Sequence, residues 1–233
     1  MKGYINKIET MGTSDGPGLR VVVFMQGCPL RCVYCHNPEM FSLKGGIEYT
    51  PRSLVEFILR YKSYFGSDGG VTFSGGEPFM QFDFLWEVCQ LLKNHNINIC
   101  LDTCGIGLKN DKILSIIDIV LMDIKYIDNK GYESITGVAK YEESISFLKK
   151  CQEYGKEIWF RQVIIPGIND DIIYIKKLKE LAKQYQPVNI ELLPFHTMGF
   201  SKYESIGIEN KLINTKDLDM STLDILYQEL NKD

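Results

Sequence analysis

Residues 27–37 read GCPLRCVYCHN and place three cysteines, Cys28, Cys32 and Cys35, in one short segment with the spacing C-x-x-x-C-x-x-C. Thiolates held this close together on a loop that contains glycine and proline suit a compact soft-metal site such as an iron–sulfur cluster. A cubane of four irons needs four protein ligands to be closed, and the loop supplies three. If no other thiolate arrives, one iron stays open to a substrate or cofactor, which predicts a site that performs chemistry.

Two other interpretations of this cysteine loop (residues 27–37) stay open at this point. One is a structural zinc site with His36 as the fourth ligand, and the other is a set of unpaired buried thiols. Adjacent Cys35 and His36 give an awkward geometry for two ligands of one tetrahedral zinc ion, which disfavours the zinc interpretation.

The composition predicts one cytoplasmic domain over residues 1–233. A chain of 233 residues with 45% hydrophobic content is long enough to bury a substantial core. The formal net charge is −4 and no Lys/Arg-rich run is present, so nucleic-acid binding is not expected. No apolar signal core begins the chain and no apolar run approaches the roughly 20 residues of a membrane span, so we expect no membrane partner. Seven cysteines, with three in one loop, fit a reducing compartment.

The segment before the cysteine loop predicts a strand that is covered on both faces. Residues 20–26 (RVVVFMQ) form a continuous β-branched and apolar run. The cysteine loop follows directly at the carboxyl end of this strand. Because chemistry collects at the carboxyl ends of strands in parallel βα architectures, this placement favours a catalytic role for the loop.

A strand–helix pattern repeats along the rest of the chain, after a first short strand over residues 5–11. Thr50 and Ser221 are the predicted N-caps of the first and last helices. The strands are predicted over residues 20–26, 71–74, 97–102, 119–124, 158–165 and 189–193, and the helices over residues 51–65, 81–94, 112–116, 141–154, 172–185 and 221–231. Six units predict an α/β fold, a partial (β/α)6 barrel of parallel strands, since eight units would close the full form. An open barrel has a wide lateral mouth that suits a macromolecular substrate.

Glycines and charged residues collect where the predicted strands end. Gly75, Gly76 and Glu77 follow the second strand, and bare backbone there allows close approach of a ligand. Taken alone, this turn is also compatible with an ordinary βα connection, and His196 with a structural histidine. The remaining candidates are Asp15 in the glycine-rich loop 12–18, Arg161 within its strand, and Asp102, Asp123, Lys125 and His196 at strand ends. Their convergence predicts a functional site at one end of the barrel.

The ordered set of motifs resembles the radical S-adenosylmethionine (radical SAM) superfamily. The cysteine spacing matches its metal-binding loop, and SGGEP at residues 74–78 matches its glycine-rich motif after the second strand. The resemblance continues over nearly the entire chain to the activating enzymes of glycyl radical enzymes. It is carried there by DGPG at residues 15–18, LDT at 101–103, DIK at 123–125, PG at 166–167 and LLPFH at 192–196.

The resemblance implies a 4Fe-4S cluster and S-adenosylmethionine as cofactors. Cys28, Cys32 and Cys35 would hold three irons, and the amino and carboxylate groups of S-adenosylmethionine would chelate the fourth. The implied cofactor-binding residues are Tyr34, Asn37, Gly75, Gly76, Glu77, Asp102, Lys125 and His196, and Lys125 joins the three cysteines as a catalytic residue. A cationic Lys125 suits the methionine carboxylate, and a carboxylate at Glu77 suits the methionine amino group.

The resemblance also implies a monovalent cation and a substrate-facing pair. The cation would bind next to the cofactor carboxylate, at Asp102, Thr103, Asp123 and the backbone of Leu121. Asp15 and Arg161 would face the substrate.

The implied activity is that of an oxidoreductase that cleaves S-adenosylmethionine reductively. The resulting 5′-deoxyadenosyl radical would abstract a glycine α-hydrogen from pyruvate formate-lyase, the expected protein partner, with flavodoxin or ferredoxin as electron donor. Segment 37–49 is too short for the cysteine-rich insert of other such activases. We expect a monomer, because a surface must stay free for a large substrate. The alternatives are activation of another glycyl radical enzyme, a radical SAM reaction on a small molecule, and a non-catalytic electron carrier or zinc protein.

The four cysteines outside the loop have two different interpretations. Cys104 follows a strand end and is either a bystander or a fourth cluster ligand, and only the first role preserves an open iron. Cys89, Cys100 and Cys151 lie in predicted helix or strand and are interpreted as small apolar residues.

Overall fold

The computed structural model describes residues 1–232, which fold around one eight-stranded sheet. Its strands are β1 (Gly3–Gly12), β2 (Arg20–Met25), β3 (Ile47–Tyr49), β4 (Gly70–Gly75), β5 (Asn98–Thr103), β6 (Ile119–Asp123), β7 (Glu157–Ile164) and β8 (Asn189–Pro194). The order across the sheet is β3-β1-β2-β4-β5-β6-β7-β8. All pairs from β2 to β8 are parallel, which confirms the six predicted parallel strands. Since β3 and β8 end the order, the barrel is open, as predicted.

The antiparallel edge of the sheet was not predicted. The first strand runs longer than residues 5–11 and pairs antiparallel with both β2 and β3. The three-residue β3 lies in the segment after the cysteine loop, which the sequence left without structure. This edge makes the chain turn back before β2, so the loop 13–19 lies beneath the barrel.

Within residues 1–232, seven α-helices accompany the strands. They are α1 (Pro51–Leu59), α2 (Phe82–Lys93), α3 (Asn129–Thr136), α4 (Tyr141–Glu153), α5 (Ile172–Tyr185), α6 (Ser201–Ser205) and α7 (Met220–Leu230). The predicted helix over 172–185 is confirmed at both ends, and Thr50 caps α1 in a reciprocal box with Ser53. The predicted helix over 51–65 ends early at Leu59, and that over 112–116 is a 3₁₀ helix, Asp111–Ser115.

The predicted cap of the last helix is wrong by two residues. The side chain of Asp219 accepts a hydrogen bond of 2.9 Å from the backbone N–H of Ser221, so Asp219 is the N-cap and Ser221 is helical. A carboxylate accepts more strongly than a hydroxyl and also suits the positive end of the helix dipole, which explains the choice.

A fully buried arginine fixes the loop beneath the barrel. Arg20, at the start of β2, donates to the carbonyl of Pro17 at 2.8 Å and to Thr72 Oγ1 at 2.7 Å. The Thr72 hydroxyl in turn donates to the backbone carbonyl of Asp15 at 2.6 Å. These bonds hold the loop against β4, so that the Asp15 side chain reaches the barrel interior.

The sheet and helices enclose one main apolar core, and a smaller one lies behind the cysteine loop. The smaller core contains Leu30, Cys32, Tyr34, Cys104, Ile106, Ile135, Ile165 and Phe195. It therefore joins the loop to the segments after β5, β7 and β8. No helix within residues 1–232 combines the length and the apolar character that crossing a bilayer requires.

Candidate functional site

A cavity of about 300 Å³ opens at the carboxyl ends of the parallel strands. Of the residues predicted from sequence, those that line it are Asp15, Cys28, Cys32, Tyr34, Cys35, Asn37, Gly75, Gly76, Asp102, Thr103, Asp123, Lys125 and Arg161. Glu77, Leu121 and His196 are not among the lining residues. The predicted residues from six separate segments of the chain thus meet around one space, which is where the parallel arrangement was expected to bring them.

The three loop cysteines face this cavity as free thiols. Burial, together with the neighbouring Cys32, raises the pKa of Cys28 and of Cys35 to about 12. Thiols with so high a pKa ionise only when a strongly positive group binds them. Their chemistry therefore fits a soft metal centre, and Cys28, Cys32 and Cys35 are the side chains that would hold it.

The cysteine loop is fixed on one side by α3. The backbone N–H of Arg31 donates to the Thr136 carbonyl at 2.7 Å, and that of Val33 donates to the Ile135 carbonyl at 2.9 Å. These two bonds flank Cys32 and attach it to the last turn of a helix that the sequence did not predict.

A second set of contacts fixes the loop from the C-terminal side. The Tyr203 hydroxyl donates to the carbonyl of Cys35 at 2.8 Å. Lys202 Nζ donates to Asn37 Oδ1 and to Glu39 Oε1, each at 2.8 Å. Sequence reasoning missed both residues, because nothing local links residues 202 and 203 to a loop so far away in the chain.

The side chain of His36 contacts His196. Its Nε2 lies 2.9 Å from the His196 carbonyl oxygen, and the two imidazole rings stack with centroids 3.9 Å apart. Burial lowers the pKa of His36 and outweighs the hydrogen bond to the His196 carbonyl, which acts in the opposite direction. Within residues 1–232, no three His, Cys, Asp or Glu side chains are arranged so that they could hold a single metal ion.

Lys125 brings a buried positive charge to the cavity. Its Nζ lies 2.8 Å from Asp123 Oδ2 and 5.6 Å from the ring centroid of Tyr34, and its side chain is 13% exposed. Burial opposes the charged form of Lys125, but Asp123 and the nearby Tyr34 and Cys32 outweigh it and raise the pKa of the lysine. Lys125 is thus a permanent cation at the cavity wall, suited to an anionic group of a ligand.

Asp102 is an incompletely satisfied carboxylate on the same wall. Its Oδ2 accepts from the Ser74 hydroxyl at 2.6 Å and lies 3.5 Å from Arg161 Nη1. Its Oδ1 is buried and has no hydrogen-bond partner within the described residues. Burial, reinforced by the charge of Asp123, raises the pKa of Asp102 to about 7. A buried carboxylate that has a bare oxygen and is repelled by a second carboxylate fits a bound cation.

Arg161 lies at the centre of three carboxylates. Its guanidinium is 3.4 Å from Asp15, 3.5 Å from Asp102 and 3.2 Å from Glu191, in each case between the nearest nitrogen and oxygen. Sequence reasoning missed Glu191. The available signal was a lone acid in the apolar strand β8, which pairs in register with Arg161 of β7.

The structure places the Glu77 carboxylate away from the cavity, inside the protein. Its side chain is buried, and its two oxygens accept four hydrogen bonds: from Phe79 N (3.2 Å), Thr103 Oγ1 (2.6 Å), Cys104 N (2.9 Å) and Cys104 Sγ (3.0 Å). Glu77 therefore ties the loop after β4 to the end of β5. The Thr103 hydroxyl is also used here and does not face Asp102.

Gly75 and Gly76 keep this turn open toward the cavity. Gly75 has φ of +104°, and a Cβ at Gly76 would lie 2.1 Å from the Gly27 carbonyl oxygen. No other residue fits either position, so bare backbone lines the cavity where the sequence predicted it.

The four cysteines outside the loop fall into two groups, one at the cavity and one in the protein interior. Cys104 lines the cavity but its thiol donates to Glu77, and Cys89, Cys100 and Cys151 are buried among apolar side chains. Each of these four thiols has its pKa raised by burial.

An open parallel barrel with a three-thiol loop after its first parallel strand, and a glycine turn after the next, defines the radical SAM class of protein. The profile described as the Radical SAM superfamily matches residues 22–178. Two curated proteins named pyruvate formate-lyase-activating enzyme are similar over nearly the whole chain. The protein from Clostridium pasteurianum is 45% identical over 93% of this chain and 92% of its own. That from Staphylococcus epidermidis is 37% identical over 99% of this chain and 96% of its own. The chain belongs to the radical SAM superfamily and, within it, to the family of these activating enzymes.

Two solved structures show the same fold at low sequence identity. Streptococcus suis SuiB bound to precursor peptide SuiA superposes with a TM-score of 0.71 at 17% identity, covering 91% of this chain and 45% of that chain. A domain of pyruvate-formate lyase-activating enzyme from Bacteroides vulgatus superposes with a TM-score of 0.56 at 22% identity, covering 70% and 92%.

Proposed function

We propose that this protein is a radical SAM activase that generates a glycyl radical on pyruvate formate-lyase. The observation that carries the proposal is 45% identity, over 92% of its length, to a protein named for that activity. The site supports it, because the cysteines, the glycine turn and Lys125 meet at one cavity. The family implies a 4Fe-4S cluster and S-adenosylmethionine.

The chain's own residues would prepare this site for its cofactors. Cys28, Cys32 and Cys35 would hold the cluster. Bare backbone at Gly75 and Gly76 and the cation of Lys125 would orient the methionine end of S-adenosylmethionine, an amino group on one side and a carboxylate on the other. When bound, the reduced cluster supplies the electron that cleaves S-adenosylmethionine, whose adenosyl fragment removes a hydrogen atom from the substrate glycine. Apolar walls at Leu30 and Val163 would exclude water from this reactive space.

A monovalent cation would complete the wall at Asp102 and Asp123. It would satisfy the bare Oδ1 of Asp102 and offset the repulsion between the two carboxylates. In this arrangement the hydroxyl of Thr103 serves Glu77, so the threonine would contribute backbone atoms only. We extend the proposal to Leu121 through its backbone, since it pairs with Asp102 in the sheet.

Asp15 and Arg161 would receive the protein substrate. Both line the cavity, and their 3.4 Å ion pair joins the loop beneath the barrel to β7. A peptide backbone offers both donors and acceptors, which this pair could match. Flavodoxin or ferredoxin would deliver the electron to a monomeric, cytoplasmic enzyme.

The segment after the cysteine loop favours pyruvate formate-lyase over other glycyl radical enzymes as the substrate. Residues 38–49 form a 3₁₀ turn, Pro38–Met40, and the edge strand β3. The Gln26 side chain donates to the carbonyls of Glu39 and Ser42, at 2.9 and 2.7 Å. β3 pairs with β1, so the segment is a short connection between fixed ends and is too small to contain an additional cluster-binding insert.

The test is an anaerobic assay with the reconstituted, reduced protein, S-adenosylmethionine and purified pyruvate formate-lyase. We expect 5′-deoxyadenosine and a glycyl radical signal in electron paramagnetic resonance, and we expect neither from Cys32→Ala. Cys89→Ala, which changes a cysteine away from the cavity, is the matched control and should retain both. Deoxyadenosine without the radical signal would exclude this substrate, and the absence of both would exclude the activity.

A further inference from the structure

Tyr132 places a hydroxyl group without a partner in the protein interior. The residue lies on α3, is 1% exposed, and packs its ring against Tyr141 with centroids 6.1 Å apart. Its Oη is buried and has no hydrogen-bond partner among residues 1–232. Buried hydroxyls are nearly always hydrogen-bonded, and one that is not costs free energy, so this group calls for an acceptor.

Tyr132 lies on the side of α3 that packs against the cysteine loop, because Ile135 on that side belongs to the smaller core with Leu30 and Cys32. Ile135 and Thr136, one turn further along the same helix, accept the backbone hydrogen bonds that flank Cys32. Tyr132, Ile135 and Thr136 are the three buried residues of α3, so they share the face that packs on the loop.

The electrostatic surroundings of the hydroxyl agree with this position. Burial raises the pKa of Tyr132, and the charges of Cys104, Cys32 and Glu77 raise it further, while Lys125 opposes them. Cys104, Cys32 and Lys125 all line the cavity. The phenol therefore lies behind the cavity wall and stays protonated, which keeps it a hydrogen-bond donor.

We propose that the Tyr132 hydroxyl donates a hydrogen bond to a sulfur of the iron–sulfur cluster bound at Cys32, and that this bond raises the reduction potential of the cluster. The inference rests on the proposed function, which requires a cluster at the three cysteines. Hydrogen bonds to the sulfurs of a cluster stabilise its more negative, reduced state. Tyr132 is a positioning and tuning residue, since it acts on the cluster and not on the substrate.

The experiment compares the cluster-loaded protein with Tyr132→Phe, which removes the hydroxyl and keeps the ring. A redox titration followed by electron paramagnetic resonance gives the midpoint potential of each. We expect a tenfold smaller equilibrium constant for reduction of the variant, which for one electron is a potential about 59 mV more negative.

The matched control is Tyr174→Phe. Tyr174 is also buried, but its hydroxyl already donates to Gln162 Oε1 at 2.7 Å. We expect this variant to keep the potential of the unsubstituted protein. In the metal-free state we expect the two variants to differ in melting temperature. Tyr174→Phe should lower it, because that variant loses a hydrogen bond, and Tyr132→Phe should leave it unchanged or raise it.

Two results would overturn the inference while leaving the proposed function intact. One is a loaded Tyr132→Phe protein with an unchanged potential, which would mean that water satisfies the hydroxyl. The other is a metal-free Tyr132→Phe protein that melts as low as Tyr174→Phe, which would mean that the hydroxyl has a partner in the protein. If the unsubstituted chain assembles no four-iron cluster, the proposed function itself fails and this inference fails with it.

Discussion

Asp102 has a buried carboxyl group whose ionisation opposes the metal-free fold. Its pKa of about 7 lies well above the ordinary 3.8, because burial and the Asp123 carboxylate disfavour its charge. A raised carboxyl pKa means that the folded state binds a proton that the unfolded state has lost. Stability from this source is therefore present at low pH and is lost as pH rises from about 4 to about 7.

We predict that Asp102→Asn stabilises the cofactor-free protein at pH 8 by up to about 4 kcal/mol, and has little effect at pH 4. The amide oxygen can still accept from the Ser74 hydroxyl, so the change mainly removes the buried charge. Urea unfolding of both proteins across this pH range measures the difference.

Asp111→Asn is the control of opposite sign. Its hydrogen bond to Lys150, at 2.7 Å, lowers the pKa of Asp111, so the stability it contributes is present at neutral pH and is lost as pH falls through the lowered pKa. Asp111→Asn should thus destabilise slightly at pH 8. If Asp102→Asn follows the same pH trend as Asp111→Asn, the charge of the Asp102 carboxylate does not destabilise the folded state.

Glu77→Gln tests whether this carboxylate is a structural tie. A glutamine has one acceptor oxygen in place of two, and its amide would face the N–H or S–H donors of Cys104. We expect a loss of about 2 kcal/mol in the free energy of unfolding, in line with one unsatisfied buried donor. Glu56→Gln, on the exposed face of α1, should change it little. Equal stabilities of the two variants would count against the tie.

The sequence located the residues of the site but not all their contacts. Asp102 and Lys125 were found because they lie at strand ends, Asp15 because it lies in a glycine-rich loop, and Arg161 because it lies within an apolar strand. The parallel topology brings these residues together. The hydrogen bond from Cys104 to Glu77 could not be predicted, since it depends on the direction of one side chain after the chain has folded.

At the scale of elements, α3 determines how firmly the cysteine loop is held. The helix ends at Gly137, whose φ of +74° is in the left-handed region, and its last two carbonyls hold Arg31 and Val33. An alanine there must adopt a conformation that costs about 1–2 kcal/mol, which will distort or fray the last turn.

We predict that Gly137→Ala loses iron to a chelator several times faster than the unsubstituted protein. Gly155→Ala provides a matched comparison, because Gly155 follows α4 with φ of +59° and open space around its Cα. Both variants should lose a similar free energy of unfolding, while only the first should release iron faster. Equal release rates would show that α3 does not secure the loop. The decrease in cluster absorbance with time measures the rate of iron release of each variant.

The elements that the sequence missed are the short and polar ones. The strand β3 has three residues and no buried side chain, so it carries no alternating pattern. The helix α3 has eight residues, among them Gly131, and buries only three. By contrast, the buried strands β2 and β6 read as continuous apolar runs, and they were predicted almost to the residue.

For the whole molecule, the cysteine loop links parts of the chain that are otherwise separate. It contacts α3 on one side and residues 196–203 on the other, so a cluster bound to it would stiffen both. We predict that loading the cluster raises the melting temperature, because the cluster binds the folded chain more tightly than the unfolded chain. The increase should be about 2–4 °C for each kcal/mol of this difference in binding free energy.

The control for this prediction again uses two cysteines. Cys35→Ala should show no increase on reconstitution. Cys89→Ala removes a core thiol, so it should melt lower overall yet show the same increment as the unsubstituted protein. Differential scanning calorimetry under anaerobic conditions measures both, and an increment retained by Cys35→Ala would place the stabilising metal elsewhere.

The contacts around the cysteine loop also set an order of events during biosynthesis. The partners of Cys35, His36 and Asn37 follow 160 to 168 positions later in the chain. A ribosome has therefore released the three thiols long before it makes Tyr203. Until then the nascent chain carries them without the contacts of residues 196–203, so the interval before completion is when oxidants have the freest access to these sulfurs.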